Sequence, residues 1–113
     1  MTGDCLFCKI ARGEIPAGIV KRNDRLLAFR DINPQAPTHL LVIPIHHVAS
    51  LENANEGALL GEILLFVRDL AREVGVAERG YRVVFNTNTD GGQTVNHLHA
   101  HLLGGRAMRW PPG

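Results

Sequence analysis

No run of like charges occurs in this sequence, and twelve basic against eleven acidic residues leave a net charge of only +1. A basic face for a nucleic-acid backbone, or a polybasic patch for an anionic membrane, is therefore not expected. No apolar stretch approaches the ~20 residues that a membrane-crossing helix needs. The first residues, Met1-Thr2-Gly3-Asp4-Cys5, have neither the basic start nor the apolar centre of a secretory leader, so a cytoplasmic protein is expected. Internal repeats and low-complexity tracts are also missing. With 45% hydrophobic and 20% charged residues, the 113 positions read as one globular domain spanning 1–113.

Cysteine is equally sparse, and both copies fall in Cys5-Leu6-Phe7-Cys8. Without a leader, a structural disulfide is not expected. A thioredoxin-type pair would follow a strand and open a helix inside a β-α-β unit, whereas this pair sits at the N-terminus. Cys-x-x-Cys also offers two of the four tetrahedral ligands of a structural zinc, the other two being histidines from elsewhere in the fold. Two reduced, half-buried thiols are the alternative.

What the chain does have is a cluster of histidine. His97-Leu98-His99-Ala100-His101-Leu102-Leu103 holds three of the six histidines. Its period of two predicts a strand with the three imidazoles on one face and Leu98, Ala100 and Leu102 packed into the core. Imidazole serves as base, nucleophile, hydrogen-bond donor or metal ligand near neutral pH. Just upstream, Asn86-Thr87-Asn88-Thr89-Asp90-Gly91-Gly92-Gln93-Thr94-Val95 carries paired glycines that suit a tight turn and close approach to an anion. Gln93 and Thr94 add side-chain donors. A plain hairpin turn would look similar.

The remaining elements follow in order. Leu6 to Arg12 predicts a short amphipathic helix stopped by Gly13. Ile19–Arg22 and Leu26–Arg30 predict a hairpin around Asn23-Asp24. After the two-proline loop Asp31–Thr38, the unbroken apolar run His39–Pro44 predicts a strand buried on both faces. Asn53 and Glu56 predict a capping box. Ala58, Leu59, Ile63, Phe66, Val67, Leu70, Ala71 and Val74 predict one long helix whose apolar stripe faces the core, ended by Gly75. Gly80–Asn86 predicts a further strand, with the histidine stretch as its hairpin partner. These elements describe an α+β domain on an antiparallel sheet.

The histidine stretch resembles the triad motif, His-φ-His-φ-His-φ-φ, of the histidine triad (HIT) superfamily of nucleotide hydrolases and transferases. Asp31-Ile32-Asn33-Pro34-Gln35-Ala36-Pro37-Thr38-His39, Gly91-Gly92-Gln93-Thr94-Val95 and the ending Leu103-Gly104-Gly105-Arg106 … Trp110-Pro111-Pro112-Gly113 are similar to its Hint branch. The resemblance implies a HIT-like fold, one antiparallel sheet with a long and a short helix, and a homodimer joining its sheets across the two-fold axis. It implies His99 as nucleophile, His101 as hydrogen-bond donor to phosphate oxygens or the departing atom, His97 as an orienting group or zinc ligand, and His39 as the residue that holds a triad imidazole.

For the nucleotide, the resemblance implies contacts from Asp31 to ribose and from Leu6, Phe7, Ile10, Phe29 and Ile32 to the base. Asn86, Gly92, Gln93, Thr94 and Val95 would lie at the phosphate, and Trp110 would reach the partner subunit's site. Some bacterial-type relatives are similar in completing a Cys-x-x-Cys zinc site with histidines that match His47 and His97. The implied activity is hydrolysis of purine nucleoside 5′-phosphoramidates, adenylyl-amine or adenylyl-lysine in type, with no cofactor required for turnover. Dinucleoside polyphosphate hydrolysis, a nucleotide-binding interaction module and a metal-centred use of the triad are the competing readings.

Overall fold

The computed structural model describes residues 4–113. In chain order these form α1 (Leu6–Ala11), β1 (Ile19–Arg22), β2 (Leu26–Arg30), β3 (Thr38–Pro44), a 3-10 turn (Leu51–Asn53), α2 (Gly57–Glu73), β4 (Tyr81–Val84) and β5 (Ala100–Gly104). The strands make one five-stranded sheet in the order β1-β2-β3-β5-β4. Every neighbouring pair is antiparallel. The α+β architecture with one long and one short helix is therefore as expected. No helix among the described residues is long and apolar enough to cross a membrane.

Alternation along the strands divides the core in two. Leu26, Ala28, Leu40, Val42, Ala100 and Leu102 face α2 and meet its stripe of Leu59, Ile63, Phe66, Val67, Leu70 and Ala71. Leu27, Phe29, Leu41 and Ile43 point to the other face, where Phe7, Ile10 and Ala11 of α1 cover them. Strand β3 is buried on both faces, as its unbroken apolar run predicts. His101 lies opposite Leu41 in the β3–β5 register, in the middle of the sheet.

Several local expectations change. The Asn53–Glu56 capping box does not form: Ser50 Oγ holds Asn53 Oδ1 at 2.8 Å, and Glu56 turns to Arg25 at 3.3 Å. Helix α2 then starts at Gly57 with no side-chain cap. A missing cap costs about 1 kcal/mol. Each large side chain in the stripe gains about 1.5–3 kcal/mol on burial, so packing decides the helix. Its ends are trimmed as well, since Ala58 and Val74 are exposed, while Gly75 at φ +82° terminates it.

The histidine stretch enters the ladder only at Ala100. Its first backbone groups have other partners: Leu98 N–H donates to Val48 O at 2.6 Å, and His97 O accepts from His99 Nδ1 at 2.6 Å. Leu98, Ala100 and Leu102 are nevertheless buried, so the alternation survives outside the ladder. Strand β4 is also shorter than expected, and residues 85–99 form the loop that joins it to its antiparallel partner β5.

Because Ile63 is fully buried between α2 and the sheet, Ile63→Ala is expected to lose about 2–5 kcal/mol of stability. Urea unfolding at fixed protein concentration measures it, and a change below about 1 kcal/mol would mean that this helix does not close the core as described.

Candidate active site

A cavity of about 360 Å³ opens on the α1 side of the sheet. Its floor is β2 and β3, through Phe29 and Leu41; its roof is Leu6, Phe7 and Ile10 of α1. Asp31 and Ile32 form one wall, Thr94 and Val95 another, and His99 and His101 lie at the polar end. Such a volume, apolar with a few convergent polar groups, suits a small organic ligand.

Hydrogen bonds assign the proton positions on the imidazoles. His99 Nδ1–H donates to the carbonyl of His97 at 2.6 Å, which leaves Nε2 as a free lone pair. At His39, Nδ1 must accept, because the main-chain N–H of Gln35 donates to it at 3.0 Å. A neutral His39 therefore carries its proton on Nε2. That N–H lies 2.9 Å from His101 Nδ1 and 3.4 Å from Asp31 Oδ2, so it donates to His101. His101 Nδ1 is thus an acceptor, and its proton sits on Nε2. This Nε2 is the buried polar side-chain atom without a partner among the described residues. A lone pair on His99 and an N–H on His101 consequently share one cavity.

His97 has a different fate. It is fully buried, and its Nε2–H donates to Pro44 O at 2.7 Å. Its Nδ1 turns away from the cavity to Cys5 Sγ at 3.3 Å and Cys8 Sγ at 3.5 Å, while His47 Nδ1 lies 3.4 Å from Cys8 Sγ. Of the three imidazoles expected on one face, His99 and His101 reach the cavity, while His97, read as an orienting group or zinc ligand, meets the thiols. The one-face pattern holds for direction only, because α1 divides that face into a cavity and a thiol cluster.

Cys5, Cys8, His47 and His97 bring one donor atom each within 4.8 Å of one another. A tetrahedral zinc with ordinary Zn–S and Zn–N bonds has S···N edges of about 3.5 Å, so these separations fit. His97 also has the right tautomer, with Nε2–H bound to a carbonyl and Nδ1 unprotonated. Burial, with Cys5 alongside, pushes the Cys8 thiol up to about 11, so a bound cation would have to displace its proton.

Of the expected nucleotide contacts, Phe7, Ile10, Phe29, Asp31, Ile32, Thr94, Val95, His99 and His101 line the cavity. Asn86, Gly92, Gln93 and Trp110 do not. Gln93 donates its amide N–H groups to Ala49 O at 2.8 Å and Val95 O at 3.0 Å, and its Oε1 accepts from Asn88 N–H. It staples the loop instead of presenting donors. Gly92 and Gln93 N–H groups are likewise bonded to Thr89 O and Asn88 O inside the loop. Of the expected anion cradle, Thr94 and Val95 reach the cavity. Gly91 is required for packing, since a Cβ there would lie 2.3 Å from Thr87 O. Trp110 is 83% exposed at the tail.

The wall from Ile15, Pro16 and Ala17, and the floor residue Leu41, were not expected. Leu41 had a signal in the sequence, because it shares its face with His39 at a spacing of two. The Pro16 turn had none.

A family model, the HIT domain, matches residues 12–108. The chain belongs to the HIT family. A crystal structure of a HIT family hydrolase from Legionella pneumophila superposes with a TM-score of 0.95 at 57% identity, covering 97% of this chain and all of that one. A 14 kDa zinc-binding protein of Zea mays is 48% identical over 96% of this HIT protein and 87% of its own length. The purine nucleoside phosphoramidase of Escherichia coli is 46% identical over 96% of this chain and 92% of its own.

In this HIT protein, burial is the main cause that disfavours the charged form of His39, His97, His99 and His101. Burial lowers His39 and His99 below the ordinary value; Asp31 opposes it at His39, and the bond to the His97 carbonyl, then Asp31, at His99. His101 falls to about 4, from burial first and then from His99 and His39 nearby. Between its ordinary value of 6.5 and about 4, the unfolded chain binds a proton that the folded chain refuses. Stability should therefore fall as pH drops through that window and level off below it. Urea midpoints measured from pH 7.5 downward should show a smaller acid-side fall in His101→Gln; an equal fall would remove His101 as a contributor.

Proposed function

We propose that this HIT protein hydrolyses purine nucleoside 5′-phosphoramidates, of the adenylyl-amine or adenylyl-lysine kind, to the nucleoside monophosphate and the amine. The observation that carries the reading is the pair of opposite tautomers in one cavity: a free Nε2 lone pair on His99 and an unpartnered Nε2–H on His101. The name of the Escherichia coli relative supports the same activity.

In this reading the base enters between Phe7, Ile10 and Phe29, and ribose hydroxyls donate to Asp31. His99 Nε2 attacks phosphorus, a P–N bond to the imidazole forms, and the bond to the amine breaks with its electron pair. The departing nitrogen takes a proton from solvent. His101 Nε2–H and Thr94 donate hydrogen bonds to the phosphate oxygens, where charge builds. Because Nδ1 keeps its proton on the His97 carbonyl, the adduct is a cationic phosphoryl-imidazolium. That species is readily displaced by water, which restores the Nε2 lone pair. No cofactor takes part.

We also propose that Cys5, Cys8, His47 and His97 hold a structural zinc, whose chemistry is to tie α1 to the segments at 47 and 97. The zinc-binding name of the Zea mays relative supports this. A reducing cytoplasm, the compartment expected from the sequence, would keep both thiols available. A homodimer built across the open β4 edge would give exposed Trp110 a second subunit to meet.

The test is AMP release from adenosine 5′-phosphoramidate, with mass spectrometry of acid-free quenched enzyme. Wild type should turn over, and folded His99→Ala should lose at least about 10³-fold and form no AMP adduct. A wild type that binds AMP without turnover or adduct would leave a binding module, and preference for diadenosine polyphosphates would leave the rival hydrolase. For the metal, native mass spectrometry should find one zinc per chain, absent in Cys8→Ser together with a lower melting temperature. Metal-free wild type with unchanged stability after zinc addition would overturn the zinc assignment.

A further inference from the structure

The proton on His101 is placed by a chain of donors that begins outside the cavity. Its fixed point is the Gln35 main-chain N–H, a group that can only donate. Everything downstream follows from that bond: His39 Nδ1 accepts, His39 Nε2–H donates, and His101 Nε2 keeps its proton. Gln35 itself lies on an exposed loop between two prolines, so its direction depends on what holds the loop.

Two contacts from the turn after β5 do so. Arg106 Nε–H donates to Gln35 O at 2.9 Å, across 71 residues of sequence. Gly105, at φ +91°, packs so closely on Pro37 that a Cβ would lie 2.9 Å from the Pro37 ring. The Arg106 guanidinium also donates to Ala107 O, which fixes its orientation. At the far end of the same tail, Arg82 donates to Arg109 O at 2.9 Å. The turn is thus fastened on both sides and pressed on the Gln35 loop.

We propose that Arg106, with Gly105 beneath it, is a positioning residue that fixes the tautomer of His101 through Gln35 and His39. Arg106 touches no part of the cavity. It acts by keeping the Gln35 N–H on His39 Nδ1; when that bond loosens, His39 can carry its proton on Nδ1 and accept from His101 Nδ1–H. His101 then presents a lone pair to the phosphate oxygens in place of a donor. The kinetic consequence rests on the phosphoramidase reading above, whereas the tautomer does not.

The experiment is histidine ¹⁵N correlation spectroscopy at pH 7.5 on wild type, Arg106→Met, Arg106→Lys and Gly105→Ala, beside steady-state kinetics. Wild type should show His101 protonated on Nε2. Arg106→Met and Gly105→Ala should each shift His101 toward the Nδ1–H form. They should lower kcat about tenfold, with KM within about twofold, the size of effect usual for a lost outer partner. Arg106→Lys keeps the charge but has no donor at the Nε position, so it should behave as the Met variant. Folded variants with the wild-type His101 tautomer and kcat would overturn the inference, as would a wild type with His101 protonated on Nδ1. Should wild type lack turnover altogether, the phosphoramidase reading falls, and the tautomer spectra alone still decide the role of Arg106.

Discussion

A neutral imidazole has one donor and one acceptor, and burial makes the choice between its nitrogens consequential. His39, His97, His99 and His101 stand within one region, burial disfavours the charged form of each, and each must present complementary groups to its neighbours. Main-chain groups settle the matter because they cannot change roles. The Gln35 N–H fixes His39 and thereby His101; the Pro44 carbonyl fixes His97; the His97 carbonyl fixes His99. Three fixed backbone dipoles therefore determine which nitrogen of each ring carries the proton. The chemistry of the site is a property of where β3, its preceding loop and the start of β5 put their peptide groups.

That dependence explains why some of the structure was legible in the sequence and some was not. Strands β1 and β2 fall on Ile19–Arg22 and Leu26–Arg30 as read, because a hairpin and its turn are decided by neighbouring residues. Gly13 and Gly75 end their helices with positive φ, again a local matter. His99 and His101 in the cavity, and Phe7, Ile10 and Phe29 around it, follow from the motif together with its periodicity. The entry point of β5 does not, since Val48 O, about fifty residues earlier, takes the Leu98 N–H that a ladder would have used.

Gln93 shows the same limit from the other side. Its residue type and place beside paired glycines suit a phosphate donor, and nothing adjacent argues otherwise. Its donors are taken by Ala49, 44 residues away, and by Val95. A side-chain amide with two carbonyls in reach loses more by releasing them, inside a partly buried loop, than it gains by facing water. The loop is shaped by that staple, and Thr94 and Val95 are left as the members that reach the cavity.

The thiol cluster bears on the cavity through α1. A six-residue helix is far too short to stand alone, since nucleation costs more than its few hydrogen bonds return. Cys5 caps it, accepting from the Cys8 N–H, and Phe7 packs edge-on against Phe29, His97 and His99 with centroids 5.3, 5.9 and 5.1 Å away. The same short helix therefore carries two cluster residues on one side and the cavity roof on the other. Residues 47–49 make a second link, through His47 to Cys8 and through Val48 O and Ala49 O to Leu98 and Gln93. Loosening the cluster would act first on the roof and the Thr94 wall, and through Phe7 and His97 on the nucleophile. The sheet beneath, with its separate α2 core, has no such dependence.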